Sequence, residues 1–91
     1  MTKVDVVARI AAQTGLTKTD VRAVVEGFLE SVKYSLQNDD PLEIRGFGTF
    51  YNVKRAPRTA RNPRTGEEVK IPARLQPVFK PSRKMKKAVS R

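Results

Sequence analysis

The chain has 91 residues, a hydrophobic fraction of 38% and a net charge of +10. This length supports one small domain. The sequence contains no Cys and no His, which removes disulfides, thiolate metal sites and the commonest general base. We therefore expect that the protein is not an enzyme and that it binds no cofactor, metal or small-molecule substrate. No apolar run approaches the roughly 20 residues of a membrane span, and the N-terminus does not resemble a secretory signal, so a cytoplasmic protein without membrane partners is expected.

The charge is divided unequally along the chain. Residues 1–50 contain six basic residues and seven acids, whereas residues 51–91 contain thirteen basic residues and only two acids, Glu67 and Glu68. In an ordinary solvated surface, positively and negatively charged residues would be interspersed. The division instead predicts a folded platform that carries a polyanion-binding part.

Two helices are predicted at the N-terminus. Thr2 and Asp5 resemble a capping box before an apolar stripe that begins at Val4, and Gly15 is suited to end this helix. Thr17–Asp20 repeats the capping pattern before a longer stripe that runs from Val21 to Leu36. The short link between them predicts an antiparallel pair or a helix-turn-helix-like corner.

Strands follow the turn at Asn38–Pro41. Leu42 and Ile44 predict a strand, Gly46–Gly48 a tight hairpin, and Tyr51–Val53 its continuation. Residues 54–74 are polar and basic, and the turn signal Asn62–Gly66 divides them into two arms of one hairpin. The chain should then return to the sheet at Val78–Phe79, and a last helix should run from Arg83 to Val89.

Several motifs resemble the HU/IHF family of bacterial histone-like DNA-bending proteins. The resemblance covers essentially the whole chain and rests on these segments: Gly46–Phe50, Arg55, Arg58, Arg61–Glu67, Ile71–Ala73 and Phe79–Pro81. Two positions depart from the family pattern, since Ala60 and Ser82 each replace a usual Gly. We expect Ala60 to stiffen the hairpin and Ser82 to cap the last helix.

The resemblance implies an α+β fold with two N-terminal helices, a three-stranded antiparallel sheet, a protruding β-ribbon arm and a short C-terminal helix. Residues 1–53 and 75–91 would form the body of an intertwined dimer, and residues 54–74 the DNA-binding arm. It implies a homodimer, with a heterodimer of paralogues as the alternative, in the bacterial nucleoid. Aromatic contacts in the dimer core would come from Phe28, Phe47, Phe50 and Phe79.

The resemblance also implies the residues that contact double-stranded DNA. Pro63 would be inserted between base pairs, although its residue type alone favours a simple turn former. The remaining contacts would come from the arm residues Lys54, Arg55, Arg58, Arg61, Asn62, Arg64, Thr65, Lys70 and Arg74 and the body residues Lys3, Lys80, Arg83, Lys84, Lys86 and Lys87. The arginines at 55, 58, 61 and 64 recur every third residue, which alternates faces in a flat ribbon, so a common surface for them would need a strong twist.

The function expected from these features and the resemblance is architectural: the protein would bind duplex DNA through phosphates and the minor groove with little sequence preference, and would kink and compact it by intercalation of a proline. Three alternatives are weighed against it: an IHF-like selector of deformable sites, an RNA-binding component, and a cationic membrane-active protein. RNA binding favours exposed aromatic residues, which residues 54–74 lack, and membrane action requires a basic amphipathic helix, whereas the basic residues lie mostly in a hairpin. The sequence does not decide between site-selective and non-selective DNA binding.

Overall fold

A computed structural model of the chain describes residues 1–90. These residues divide into two compact units, one covering residues 1–35 and the other beginning at Leu36. No helix in this part of the chain is both long enough and apolar enough to cross a membrane.

The elements follow the expected α+β order, and they confirm the predicted fold class. The helices and strands, in chain order, are α1 (Lys3–Thr14), α2 (Lys18–Gln37), β1 (Leu42–Ile44), β2 (Gly48–Arg55), β3 (Arg58–Arg61), β4 (Glu68–Ile71), β5 (Arg74–Pro81) and α3 (Arg83–Val89). The strands form a three-stranded antiparallel sheet in the order β1-β2-β5 and a separate two-stranded ladder of β3 and β4.

Helix α1 is bounded by the signals read from the sequence. The Thr2 N–H donates to the Asp5 carboxylate at 2.9 Å, and the Asp5 N–H donates back to the Thr2 hydroxyl at 3.4 Å, which completes a capping box. The backbone N–H of Thr2 and then its hydroxyl hold the pKa of the Asp5 carboxyl below its usual value. Gly15 ends the helix with φ of +77°, the left-handed conformation that glycine adopts without a Cβ penalty.

The two phenylalanines of the three-stranded sheet lie on one face, and most of its basic residues lie on the other. Residues directly opposite each other share a face, and successive residues alternate between faces. The register therefore puts Phe50 and Phe79 on one face, and Arg55, Arg74 and Lys80 on the other. The Phe79 ring packs 4.8 Å from that of Phe50 and 5.3 Å from that of Phe47, between ring centroids, so the three aromatic rings form one cluster.

The long hairpin is interrupted once. The last rung of the β2–β5 ladder is the Arg55–Arg74 pair, and the first rung of the β3–β4 ladder is the Arg58–Ile71 pair. Two residues on each strand lie between these rungs, and the common register puts Pro57 opposite Pro72. A proline has no N–H to donate.

The two ladders also differ in phase. The Ser82 N–H donates to the Phe47 carbonyl at 2.9 Å, so hydrogen-bonded pairs recur at every second residue from there to the Arg55–Arg74 pair. If the β2–β5 ladder continued in that phase, its next hydrogen-bonded pair would be Pro57 with Pro72, and neither proline has a backbone N–H to donate. At the far end the Asn62 N–H donates to the Glu67 carbonyl at 2.8 Å, which places the arm's hydrogen-bonded pairs at 60–69 and 58–71. The facing prolines thus end one ladder, and the next resumes out of phase.

Candidate nucleic-acid interface

The tip of the ribbon is a closed turn that presents Pro63. The Gly66 N–H donates to the Asn62 carbonyl at 2.8 Å, and Gly66 has φ of +75°. With the bond from Asn62 to Glu67, this is a G1 bulge, which requires a residue in the left-handed conformation and favours glycine. The Asn62 side-chain oxygen accepts the Arg64 N–H at 2.9 Å, and the Thr65 hydroxyl accepts the Glu67 N–H at 3.3 Å. Pro63 is exposed on this turn.

The arm arginines occupy both faces of the β3–β4 ladder. Arg58 shares a face with Ala60, Val69 and Ile71, whereas Arg61 lies on the other face with Lys70. Because the hydrogen-bonding phase changes at the prolines, Arg58 lies in a hydrogen-bonded pair, as Arg55 does three residues earlier. An uninterrupted ladder would have put these two arginines on opposite faces. Because of the break between the ladders, strict alternation does not relate Arg55 to Arg58, whereas Arg58 and Arg61 still lie on opposite faces of the β3–β4 ladder.

Arg61 differs from the other arm arginines in its partner. Its guanidinium lies 3.8 Å from the carboxylate of Glu68, directly across the ladder. Both side chains are largely exposed, so this ion pair contributes little to stability.

At the base of the arm, the basic side chains are exposed and lie on both faces of the sheet. Arg55 and Arg74 are directly opposite each other, and the Arg55 Nε donates to the side-chain oxygen of Gln76 at 2.9 Å. Lys54 lies on the face that also carries Phe50.

The C-terminal helix adds a second basic cluster within the same unit. The Ser82 hydroxyl accepts the Met85 N–H at 3.0 Å, which confirms the predicted cap at this departure from the family pattern. Helix α3 contains no acid, and its four basic residues are all exposed: Arg83, Lys84, Lys86 and Lys87. Lys80, just before the helix, is exposed as well.

Lys3 belongs to the helical unit, where it already has a partner. Its ammonium lies 3.3 Å from the Glu26 carboxylate, and both side chains are half exposed. Phe28, in the same unit, is 44% exposed, and Phe47 and Phe79 of the other unit are 40% and 38% exposed. The aromatic rings predicted to form a dimer core are thus left partly uncovered by a single chain.

Sequence reading missed the side chains that hold the arginines. Gln76 and Glu68 were not singled out, yet they contact Arg55 and Arg61. Glu68 could have been found, since it is one of only two acids in the basic half. Gln76 carries no such signal, because its contact depends on the register of strands 21 residues apart.

The α+β fold and its basic two-stranded ribbon point to the class of architectural nucleic-acid-binding proteins. The sequence model of the bacterial DNA-binding protein family matches residues 1–90. The chain belongs to this family, which includes HU and integration host factor, and it is an architectural DNA-binding protein.

Individual relatives agree with this assignment over full-length alignments. The chain is 43% identical to the DNA-binding protein HU of Thermus thermophilus, covering 100% of this chain and 94% of that protein. It is 41% identical to the integration host factor subunit beta of Aeromonas hydrophila, covering 99% and 97%. Among solved structures, the HU of an Anabaena HU–DNA cocrystal matches with a TM-score of 0.93 and 31% identity, covering 99% of this chain and 98% of that one.

Proposed function

We propose that this protein binds double-stranded DNA as a dimer, through backbone phosphates and the minor groove, with little sequence preference, and that it kinks and compacts the DNA. The observation that carries this proposal is the exposed Pro63 at the tip of a basic ribbon whose turn is closed by hydrogen bonds. The Anabaena HU that shares this fold was crystallised with DNA, which supports the same partner for this chain.

Recognition of the minor groove follows from the donors that flank the tip. The Asn62 side-chain oxygen is occupied by the Arg64 N–H, which leaves the amide NH₂ as a donor. A·T base pairs present only acceptors in the minor groove, so this readout distinguishes few sequences. Arginine side chains such as Arg61 and Arg64 suit a narrow minor groove of negative potential.

Pro63 has the properties of a wedge between base pairs. It is apolar and rigid, and it has no N–H to leave unsatisfied within the stack. Unstacking a base step costs a few kcal/mol, which is offset when the kinked duplex contacts more protein surface. A dimer has two ribbons and therefore introduces two kinks.

The phosphate contacts are assigned to the exposed basic residues of the arm and the body. In this assignment residues 54–74 form the arm and residues 1–53 and 75–91 form the dimer body. Because phosphate contacts carry no sequence information, binding concentrates the protein in the nucleoid rather than at single sites. The contacting side chains are Lys54, Arg55, Arg58, Lys70, Arg74, Lys80, Arg83, Lys84, Lys86 and Lys87. Lys3 would join them after its ion pair with Glu26 breaks.

The test is the Pro63→Ala variant, compared with the parent on intact and nicked duplexes by fluorescence bending assays. We expect the bend to decrease and the preference for nicked DNA to fall about tenfold, which corresponds to about 1.4 kcal/mol of the unstacking energy. The fold should not change, because the turn is exposed, and the dependence of affinity on salt should change little, because no charge is removed.

Pro77→Ala is the matched control, since Pro77 is also exposed but lies within β5. This variant should bend DNA as the parent does. If Pro63→Ala bends intact DNA fully and keeps the preference for nicked DNA, Pro63 is only a turn residue.

A further inference from the structure

Two arginines stand opposite each other at the last rung of the three-stranded sheet. Arg55 pairs with Arg74, and Val53 pairs with Gln76, so these arginines and Gln76 share one face. Like charges directly opposite each other destabilise a ladder. Neither β2 nor β5 contains an acid, and in residues 1–90 neither arginine forms a salt bridge.

The partner of Arg55 is neutral. The Arg55 Nε donates to the Gln76 Oε1 at 2.9 Å, while Gln76 is itself half-buried. A carboxylate at this position would compete with a phosphate for the guanidinium of Arg55. The amide instead fixes the guanidinium and leaves its charge and the N–H groups of its two terminal nitrogens for another acceptor.

We propose that Gln76 is a positioning residue for DNA binding, which holds Arg55 beside Arg74 so that the two guanidiniums bind one backbone phosphate at the base of the arm. A phosphate carries the charge that the arginine pair lacks, and it accepts paired hydrogen bonds from the planar guanidinium. The subsite lies at the last pair of the three-stranded sheet, two positions before the facing prolines Pro57 and Pro72. This inference rests on the proposed binding to duplex DNA.

The decisive variant is Gln76→Glu, in which a charged partner replaces the neutral one. The new carboxylate should pair with Arg55 and displace the phosphate. Each phosphate contact that is lost makes the slope of log K against log salt shallower by about 0.9. We therefore expect a slope shallower by about 0.9 per subunit and an affinity at least about tenfold weaker, as measured by fluorescence anisotropy with an intact labelled duplex. Gln13→Glu is the control for added charge, since Gln13 is exposed on α1, and its slope should stay at the parent value.

A second pair of variants separates positioning from a structural role. Gln76→Ala leaves the charges unchanged, so it should weaken binding several-fold with an unaltered salt slope. In an Arg55→Ala background, the same substitution should have no further effect on affinity. A structural role predicts instead equal losses in both backgrounds and a lower melting temperature.

The outcomes separate this inference from the proposed function. If the parent binds duplex DNA with no dependence on salt, binding through phosphates is itself wrong. If the parent shows a steep salt slope but Gln76→Glu behaves like Gln13→Glu, only the role of Gln76 is overturned.

Discussion

At the scale of single residues, Gly48 is the glycine with the least room for a side chain. It is buried, and a Cβ built there would lie 2.5 Å from the Phe79 ring and 2.6 Å from the Lys80 carbonyl oxygen. Such contacts force a shift of β5 or of the aromatic cluster. We expect Gly48→Ala to lower the free energy of unfolding by about 1–3 kcal/mol, the usual cost of overpacking, measured by urea denaturation.

Gly27 provides the matched control for this prediction. It lies within α2, and a Cβ there would meet nothing within 4 Å. Gly27→Ala should therefore raise the free energy of unfolding by about 0.5–1 kcal/mol, because alanine loses less backbone entropy in a helix. A Gly48→Ala variant as stable as the parent would show that the sheet absorbs the methyl group.

At the scale of elements, local signals predicted most of the fold. The caps at Thr2, Gly15 and Ser82 involve residues close in sequence, so their patterns are readable before any tertiary contact is known. The phase reset was not readable, because it depends on Pro57 facing Pro72 in a register that only the folded hairpin defines. Gln76, the partner of Arg55, was missed for the same reason, whereas Glu68, the partner of Arg61, is one of only two acids in the basic half and could have been found.

The facing prolines make the arm a separate element from the sheet. Substituting valine for both Pro57 and Pro72 returns two N–H donors at the pair where the first ladder lacks them. We expect this double variant to couple the arm to the sheet, so that amides in 58–61 and 68–71 exchange with deuterium several-fold more slowly.

Pro77→Val is the control for the ladder experiment. Pro77 already lies within β5, opposite Asn52, at a rung whose N–H would face away from β2. Its replacement adds no hydrogen bond between the strands and should leave exchange in the arm unchanged. Equal exchange in the double variant and the parent would mean that the prolines do not cause the break.

At the scale of the whole molecule, one chain buries very little apolar surface. Within residues 1–90 only Val7 and Val21 are buried hydrophobic side chains, at 3% and 2% exposure. The helical unit leaves a groove of about 650 Å³, lined in part by Val6, Ile10, Val24 and Phe28. In the other unit the Phe47 and Phe79 rings are also partly uncovered. So small a core yields only a few kcal/mol, and small scaffolds of this kind commonly require a partner subunit.

We therefore expect folding and dimerisation to be coupled. When only the dimer is fully folded, mass action makes the melting temperature rise with protein concentration. We expect this rise in calorimetry over a wide dilution series. We also expect Phe28→Glu to abolish the dimer in sedimentation experiments, because it places a charge on an apolar surface that a partner subunit would cover. Arg58→Ala is the control, since Arg58 is exposed on the ribbon, and it should weaken DNA binding without altering the dilution response. A parent chain that sediments as a folded monomer, with a melting temperature unchanged on dilution, would contradict the dimer. In that case the exposed aromatic rings would need another explanation.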